Sequence, residues 1–293
     1  MKRMKIIALL VLMCLSHYSA DAQTIPVYRI MSTIEQNALA DLPGHEEWGM
    51  KKVVRNVHRT MPSDFKLNLP SPSKASLTPE QLYEKRLNGS LIFGKMYSCG
   101  QCPKMHLTLI ASASAVTEDG VCLVNYHMIH PIVSREGVLK GDSVYFLADR
   151  DGQIFPVVEV MAYSKDEDAA VIRVDTRGTK LEAIPLGGDA ATGSHVNLIS
   201  HPKQMLYTYT QGYVTRNVMY NYPDKPIIDI MEVTAPFAEG SSGGPFMDDR
   251  GNLVGMVKGT NTIYYSEERP NPQMVHRSAI PVKVLKVLLG VKR

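Results

Sequence analysis

Residues 239–252 read Glu239-Gly240-Ser241-Ser242-Gly243-Gly244-Pro245-Phe246-Met247-Asp248-Asp249-Arg250-Gly251-Asn252, and an apolar run, Leu253 to Lys258, follows. Glycines on both sides of Ser242 let the backbone turn tightly enough to aim several amides at one spot. A serine hydroxyl is a poor nucleophile without a neighbouring base and donors for the oxyanion that forms. The amides of Gly240 and Ser242 are placed to be those donors. A bare G-x-S-G also suits an ordinary turn between strands; G-x-S-G-G-P between apolar strands is far more restrictive. The G-x-S-x-G nucleophile elbow runs from strand into helix. Here Pro245 to Asn252 leads through a second turn into another strand pattern, so the serine belongs to a β context.

The rest of the chain agrees. Leu107 to Val116 and Val121 to Tyr126 flank Glu118-Asp119-Gly120, a hairpin signal. Val138 to Ala148, Val157 to Tyr163, Ala169 to Val174, Val196 to Ser200, Tyr207 to Thr215 and Ile227 to Val233 continue the series. No helical pattern intervenes, which predicts an all-β barrel or sandwich. Thr78-Pro79-Glu80-Gln81 carries a capping box and starts a short helix, and Val282 to Val291 forms a C-terminal one.

Lys2, Arg3 and Lys5, the apolar run Ile6 to Leu15 and Ala20-Asp21-Ala22 read as a signal peptide over 1–22, cleaved before Gln23. That run is shorter than the roughly 20 apolar residues of a membrane span, so export to periplasm or medium without stable membrane insertion is expected. Residues 23–76 form an N-terminal extension punctuated by prolines, with a helical pattern at Ile30 to Ala40 and a linker at Ser71 to Ser76; residues 77–293 form the main domain. With 44% hydrophobic and 21% charged residues, the chain can bury a core and is not disordered throughout. A net charge of +3 over 293 residues gives no basic footprint, so no nucleic-acid partner is expected. The sequence sets no oligomeric state.

Nine histidines compete to be the base. His127 ends the strand Val121 to Tyr126, a rigid place from which to reach a serine, and His130 follows three residues on. Ser164-Lys165-Asp166-Glu167-Asp168 leads into the strand Ala169 to Val174. Asp166 and Glu167 suit a solvated loop, whereas Asp168 abuts the strand and can lie beside an imidazole and fix its tautomer.

These segments resemble the trypsin-like serine proteases, in particular the bacterial periplasmic HtrA/Deg-type branch. The likeness rests on Thr117 to Ile129 around His127, Asp168-Ala169-Ala170-Val171, Gly193 to Val214, Gly240 to Pro245 and Ala279 to Val282. It spans roughly residues 77 to 293 and keeps the order His, Asp, Ser. The resemblance implies a chymotrypsin/trypsin-like double β-barrel with a C-terminal helix. It also implies His127 as base, Asp168 as its orienter, Ser242 as nucleophile, and the Gly240 and Ser242 amides as oxyanion hole. The stretch before the nucleophile then walls the primary specificity pocket through Pro236 and Phe237, with Glu239 at its rim. None of Thr234 to Ala238 is charged, which predicts cleavage after small or medium apolar residues.

The chain also departs from that pattern. Ala111-Ser112-Ala113-Ser114-Ala115 replaces the usual G-x-G, Glu239 and Ser241 replace Pro and Asn, and the chain stops at Arg293 without room for a PDZ domain. Ser241 stands where digestive zymogens hold an Asp, so activation by an N-terminal ion pair is not expected.

Cys99-Gly100-Gln101-Cys102 reads as a local disulfide in an oxidising compartment. His106 completes a partial C-x2-C-x3-H, which keeps metal and redox readings open. Cys122, beside a hairpin turn, is expected to stay a free thiol. The function this predicts is a serine endopeptidase acting on unfolded or extended polypeptides through an acyl-enzyme, with no cofactor or metal. A protease-fold binding or chaperone protein with little turnover is the alternative, and a redox protein using Cys99 and Cys102 a third.

Overall fold

In a computed structural model of the protein, residues 24–44, 48–53, 66–134, 143–224 and 226–291 are described. The signal-peptide reading, the cleavage site before Gln23 and the start of the strand expected at Val138 lie outside them.

Among the described residues, twelve strands form two six-stranded closed barrels. The first holds β1 (Ser90–Ser98), β2 (Met105–Ala115), β3 (Val121–Val124), β4 (Val144–Ala148), β5 (Ile154–Ser164) and β6 (Ala169–Val174) in the order β1-β2-β3-β6-β5-β4. The second holds β7 (His195–Ser200), β8 (Thr208–Tyr220), β9 (Ile228–Val233), β10 (Pro245–Met247), β11 (Leu253–Tyr264) and β12 (Pro272–Pro281) in the order β10-β11-β12-β9-β8-β7. Antiparallel pairing of β1 with β4 and of β10 with β7 closes each sheet and removes its edges.

Side chains alternate faces along a strand, and many strands here are buried on both. In β6, Ala170 and Ile172 fill the first barrel, while Ala169 and Val171 join a larger apolar cluster that reaches the second. This two-sided burial is why the strands read as continuous apolar runs.

Five α-helices also lie in the described chain: α1 (Val27–Asp41), α2 (Met50–Val53), α3 (Pro79–Arg86), α4 (Tyr126–Val133) and α5 (Val282–Leu288). At α3 the capping box forms as read: the Thr78 hydroxyl accepts from Gln81 N at 3.3 Å, and Gln81 Oε1 accepts from Thr78 N at 3.0 Å.

The extension is more structured than its composition suggests. Ile30, Ile34 and Ala38, spaced by four, bury one face of α1 in the shared core cluster. Asn37 donates to the Gly152 carbonyl at 2.8 Å, and a Cβ at Gly152 would meet Thr33 at 2.6 Å. Ser73, within the stretch read as a linker, exchanges two hydrogen bonds with the Asn252 side chain, at 2.7 and 3.0 Å. Leu77 N donates to Asp249 O at 2.8 Å. The extension thus touches both barrels.

Ile34 is fully buried, so Ile34→Ala should cost about 2–5 kcal/mol of stability, the range for cavity creation in a packed core. Urea unfolding measures it; a loss below about 1 kcal/mol would show that α1 is not part of the core.

Candidate active site

The first barrel contributes a histidine and an acid. β3 ends at Val124 and the chain turns at Asn125 into α4, so His127 lies in the first turn of a helix rather than at the strand end the sequence suggested. Asp168 adopts φ +57°, the left-handed region, just before β6. That conformation costs an L-residue about 1–2 kcal/mol. Three contacts hold it there: Tyr126 N donates to Asp168 O at 3.1 Å, and Asn125 Nδ2 donates to both Asp168 O and Oδ2 at 3.1 Å.

So placed, the Asp168 carboxylate receives His127 N on Oδ1 at 2.9 Å and faces His127 Nδ1 at 2.9 Å through Oδ2. A carboxylate accepts only, so the Nδ1 proton belongs to this contact and Nε2 is left as the basic nitrogen. Asp168 is mostly covered, with 20% of its side chain exposed, whereas 49% of the His127 side chain is open. His130 instead packs edge-to-face on Tyr126. Asp166 is exposed; Glu167 is half-buried, and burial raises its carboxyl pKa. Lys258 of β11 donates to Glu167 O at 3.1 Å, tying the acid's loop to the second barrel.

The second barrel contributes the serine loop. Lys203 N donates to Glu239 O at 2.7 Å, and Gly244 N donates to Ser241 O at 2.9 Å. A trans peptide sets its N–H opposite its C=O, so tethering these carbonyls turns the Gly240 and Ser242 amides the other way. Neither amide has an acceptor among the described residues. Gly240 has φ +94°, and a Cβ there would lie 2.6 Å from His201 O. Gly243 has φ +84°, and a Cβ there would lie 2.1 Å from Ser112 O, so both positions demand glycine. The Ser242 side chain is half-buried and makes no hydrogen bond to His127 among the described residues. Catalytic hydrogen bonds of unliganded sites often tighten only around substrate.

What the sequence reading missed is the support beneath this loop. Ser112 N donates to Ser242 O at 2.9 Å, and Ser112 Oγ donates to Gly240 O at 2.9 Å while accepting from His201 N at 3.1 Å. Ser114 Oγ donates to Gly243 O at 2.7 Å, and Ser200 Oγ to Ser241 Oγ at 3.0 Å. The Ala111 to Ala115 stretch, seen above only as a departure from G-x-G, is the strand on which the serine loop sits. Two serines at strand spacing in a run of alanines were the available signal.

In the stretch expected to wall the specificity pocket, Pro236 is exposed and its carbonyl accepts from Thr210 Oγ1 at 2.8 Å. The Phe237 ring lies in the core of the second barrel, edge-to-face on Phe246. Glu239 is exposed and paired with Lys203, which balances its charge. Ile110, Ala111, His201, Leu206, Glu239 and Gly240 help line a cleft of about 270 Å³ between the barrels.

The expected disulfide is not present: Cys99 and Cys102 are free thiols with sulfurs 3.5 Å apart. Donation from Gln101 N, with the neighbouring Cys102 thiol, lowers the Cys99 pKa to about 7. Cys122 is free and buried in β3, and burial pushes its thiol pKa far up.

His201 is buried, and its Nδ1 accepts from Tyr207 N at 3.0 Å. Desolvation pushes its pKa down to about 3. Because the folded pKa lies below the unfolded value of about 6.5, stability is fully present above pH 6.5 and falls as pH drops toward 3. His201→Asn, which keeps an acceptor, should flatten that fall. Guanidinium unfolding between pH 7 and 4 should show wild type losing about 1.4 kcal/mol per pH unit more than the variant below pH 6.5. Parallel curves would refute the assignment.

Residues 111–256 match the family described as the trypsin-like peptidase domain. Over 154 residues the chain is 32% identical to Protease Do-like 1, chloroplastic, of Arabidopsis thaliana, covering 51% of this chain and 32% of that protein. It is 28% identical over 178 residues to a probable periplasmic serine endoprotease DegP-like of Pseudomonas fluorescens, covering 60% of this chain and 33% of the relative. The chain therefore spans about a third of the length of these relatives. Among solved structures, the HtrA-type protease AlgW with decapeptide shares the fold at a TM-score of 0.55 and 22% identity, covering 72% of this chain and 66% of that one. His127, Asp168 and Ser242 all fall inside the matched segment, and the double barrel is the fold shared with the AlgW structure. The chain thus carries a trypsin-like peptidase domain over residues 111–256 and resembles the HtrA/Deg-type serine proteases in sequence and fold.

Proposed function

We propose that the protein is an exported serine endopeptidase that hydrolyses peptide bonds of unfolded or extended polypeptides through an acyl-enzyme. The observation that carries this reading is the pairing of His127 Nδ1 with Asp168, which leaves Nε2 basic, in a chain whose serine loop holds two uncommitted amides. In the reaction, His127 Nε2 takes the Ser242 proton as Oγ attacks the substrate carbonyl. The Gly240 and Ser242 amides receive the oxyanion, and His127 returns the proton to the leaving amine. Water, activated by the same imidazole, then releases the acyl group. Every step uses protein groups and water, so the reading requires no cofactor.

Export is supported by the n-region, apolar run and Ala20-Asp21-Ala22 of the sequence. No described helix is long and apolar enough to cross a membrane. Unfolded or extended substrates are supported by the cleft between the barrels, which reaches Gly240 of the serine loop. The uncharged stretch Thr234 to Ala238 supports a primary pocket for small or medium apolar side chains. The pairing of Glu239 with Lys203 supports little discrimination against acidic substrates.

Ser242→Ala and His127→Ala should each lower turnover of denatured casein by several orders of magnitude, with far-ultraviolet dichroism unchanged. Asp168→Asn should cost about 10⁴ through the wrong imidazole tautomer. A fluorophosphonate probe should label Ser242, located by peptide mapping; a folded protein that neither labels nor cleaves is instead the binding or chaperone protein. Inactivation by His130→Ala but not His127→Ala would overturn the base.

Cleavage sites mapped by mass spectrometry should fall mainly after small or medium apolar residues. A buried Lys or Arg in the pocket would lack a partner at a penalty of several kcal/mol. A majority of cuts after Lys or Arg would reveal an acid in the pocket and sink the assignment.

A further inference from the structure

The hairpin joining β1 to β2 brings together three side chains that the peptidase site does not use. Cys99, Cys102 and His106 lie at its tip, with His106 Nε2 3.1 Å from each sulfur and the sulfurs 3.5 Å from one another. We propose that this cluster is a Cys2His site for zinc, in which the protein supplies three donors and water or a donor from a bound polypeptide takes the fourth position.

The geometry favours a shared ion over three unrelated contacts. Zinc at 2.3 Å from sulfur and 2.0–2.1 Å from nitrogen, in tetrahedral array, sets sulfur–sulfur separations near about 3.8 Å and sulfur–nitrogen near about 3.6 Å. The observed 3.5 and 3.1 Å need each donor to move outward by only a few tenths of an ångström. One imidazole nitrogen within 3.1 Å of two sulfurs cannot donate a single proton well to both, whereas an ion between all three satisfies each.

The backbone is arranged for it as well. Gln101 N donates to Cys99 Sγ at 3.4 Å, which stabilises a thiolate, and Gly100 at φ +71° allows the tight loop that makes this contact. His106 is fixed by strand pairing: it stands opposite Tyr97 in the β1–β2 register and its ring packs on Tyr97, with centroids 5.6 Å apart. The donors are thus two residues of a short loop and one of a rigid strand. Cys99 is exposed and the other two are half-buried, so an ion can enter. Binding replaces the two thiol protons, which pass to solvent. Two sulfurs and one imidazole suit zinc, whereas carboxylate or carbonyl oxygens would suit magnesium or calcium.

The test uses the full chain, reduced with a thiol-free reductant under argon and titrated with Zn²⁺ against a chromophoric chelator. One equivalent should bind, and Co²⁺ in its place should give sulfur-to-metal charge-transfer and tetrahedral d–d bands. Cys99→Ser, Cys102→Ser and His106→Asn should each weaken Kd by more than about 100-fold, beyond the 10–100-fold of a residue that only supports a ligand. Cys122→Ser should bind as wild type. For any variant that fails to fold, protection of Cys99 and Cys102 from iodoacetamide by Zn²⁺ in wild type, read by mass mapping, stands in. No uptake, uptake indifferent to His106→Asn, or a chain isolated with Cys99 bridged to Cys102 that takes no Zn²⁺ once reduced would each overturn the site.

Discussion

The contact between β2 and the serine loop governs the rest of the site. β2 belongs to the first barrel and the loop to the second, so every hydrogen bond between them also fixes the barrels' separation. Ser112 and Ser114 engage the carbonyls of Gly240, Ser242 and Gly243 at 2.7–2.9 Å. Each such bond contributes only about 1 kcal/mol net, yet leaving a buried partner unmade costs about 1–3 kcal/mol. The arrangement is therefore hard to relax in parts. Gly243 adds steric exclusion: with Ser112 O 2.1 Å from where a Cβ would stand, the loop can approach β2 this closely only as glycine.

That contact accounts for how the amides are presented. An amide that is to meet a developing oxyanion must be free at rest and pointed beforehand. Here the carbonyls take the hydrogen bonds and the Gly240 and Ser242 N–H groups are left over. On the first-barrel side strain serves a similar end. The left-handed backbone of Asp168 is offset by Tyr126 N, Asn125 Nδ2 and His127 N, all from the chain turning into α4. The helix start and the acid hold each other, which positions the imidazole, and Lys258 of β11 ties the acid's loop to the second barrel.

The legible part of the sequence was the part written in punctuation and alternation. Glycines around Ser242, the turn at Glu118-Asp119-Gly120 and two-sided apolar strands are local features, and the barrel strands and serine loop follow from them. β1, β10 and β12 were not legible. β10 has three residues, the outer half of β12 is exposed, and β1 carries Gly94, whose missing Cβ makes room for the Phe146 ring. The helix after Val124 was hidden because Tyr126 continues a strand-like pattern; Tyr126 N and the Asn125 side chain are instead claimed by Asp168, 43 residues on. The serines of β2 looked like a departure because their partners lie more than 120 residues away. Local pattern cannot register such contacts.

The same strand connects the two ends of the first barrel's hairpin. β2 is half-exposed from Met105 to Thr108 and buried from Ala111 onward, so its inner end is anchored by the serine loop while its outer end depends on pairing with β1. Thr108 to Ala111 wall the cleft beside Gly240, and His106 lies two residues further out. The pairing also shifts register between Phe93 and Gly94, a local irregularity that separates the inner half of the hairpin from the outer. Beyond that point the ladder runs from Gly94 opposite Leu109 to Ser98 opposite Met105, and the Tyr97 ring packs on His106. A crosslink among Cys99, Cys102 and His106 acts where the hairpin has least burial to hold it, and so it stiffens the outer wall of the cleft rather than the serine loop.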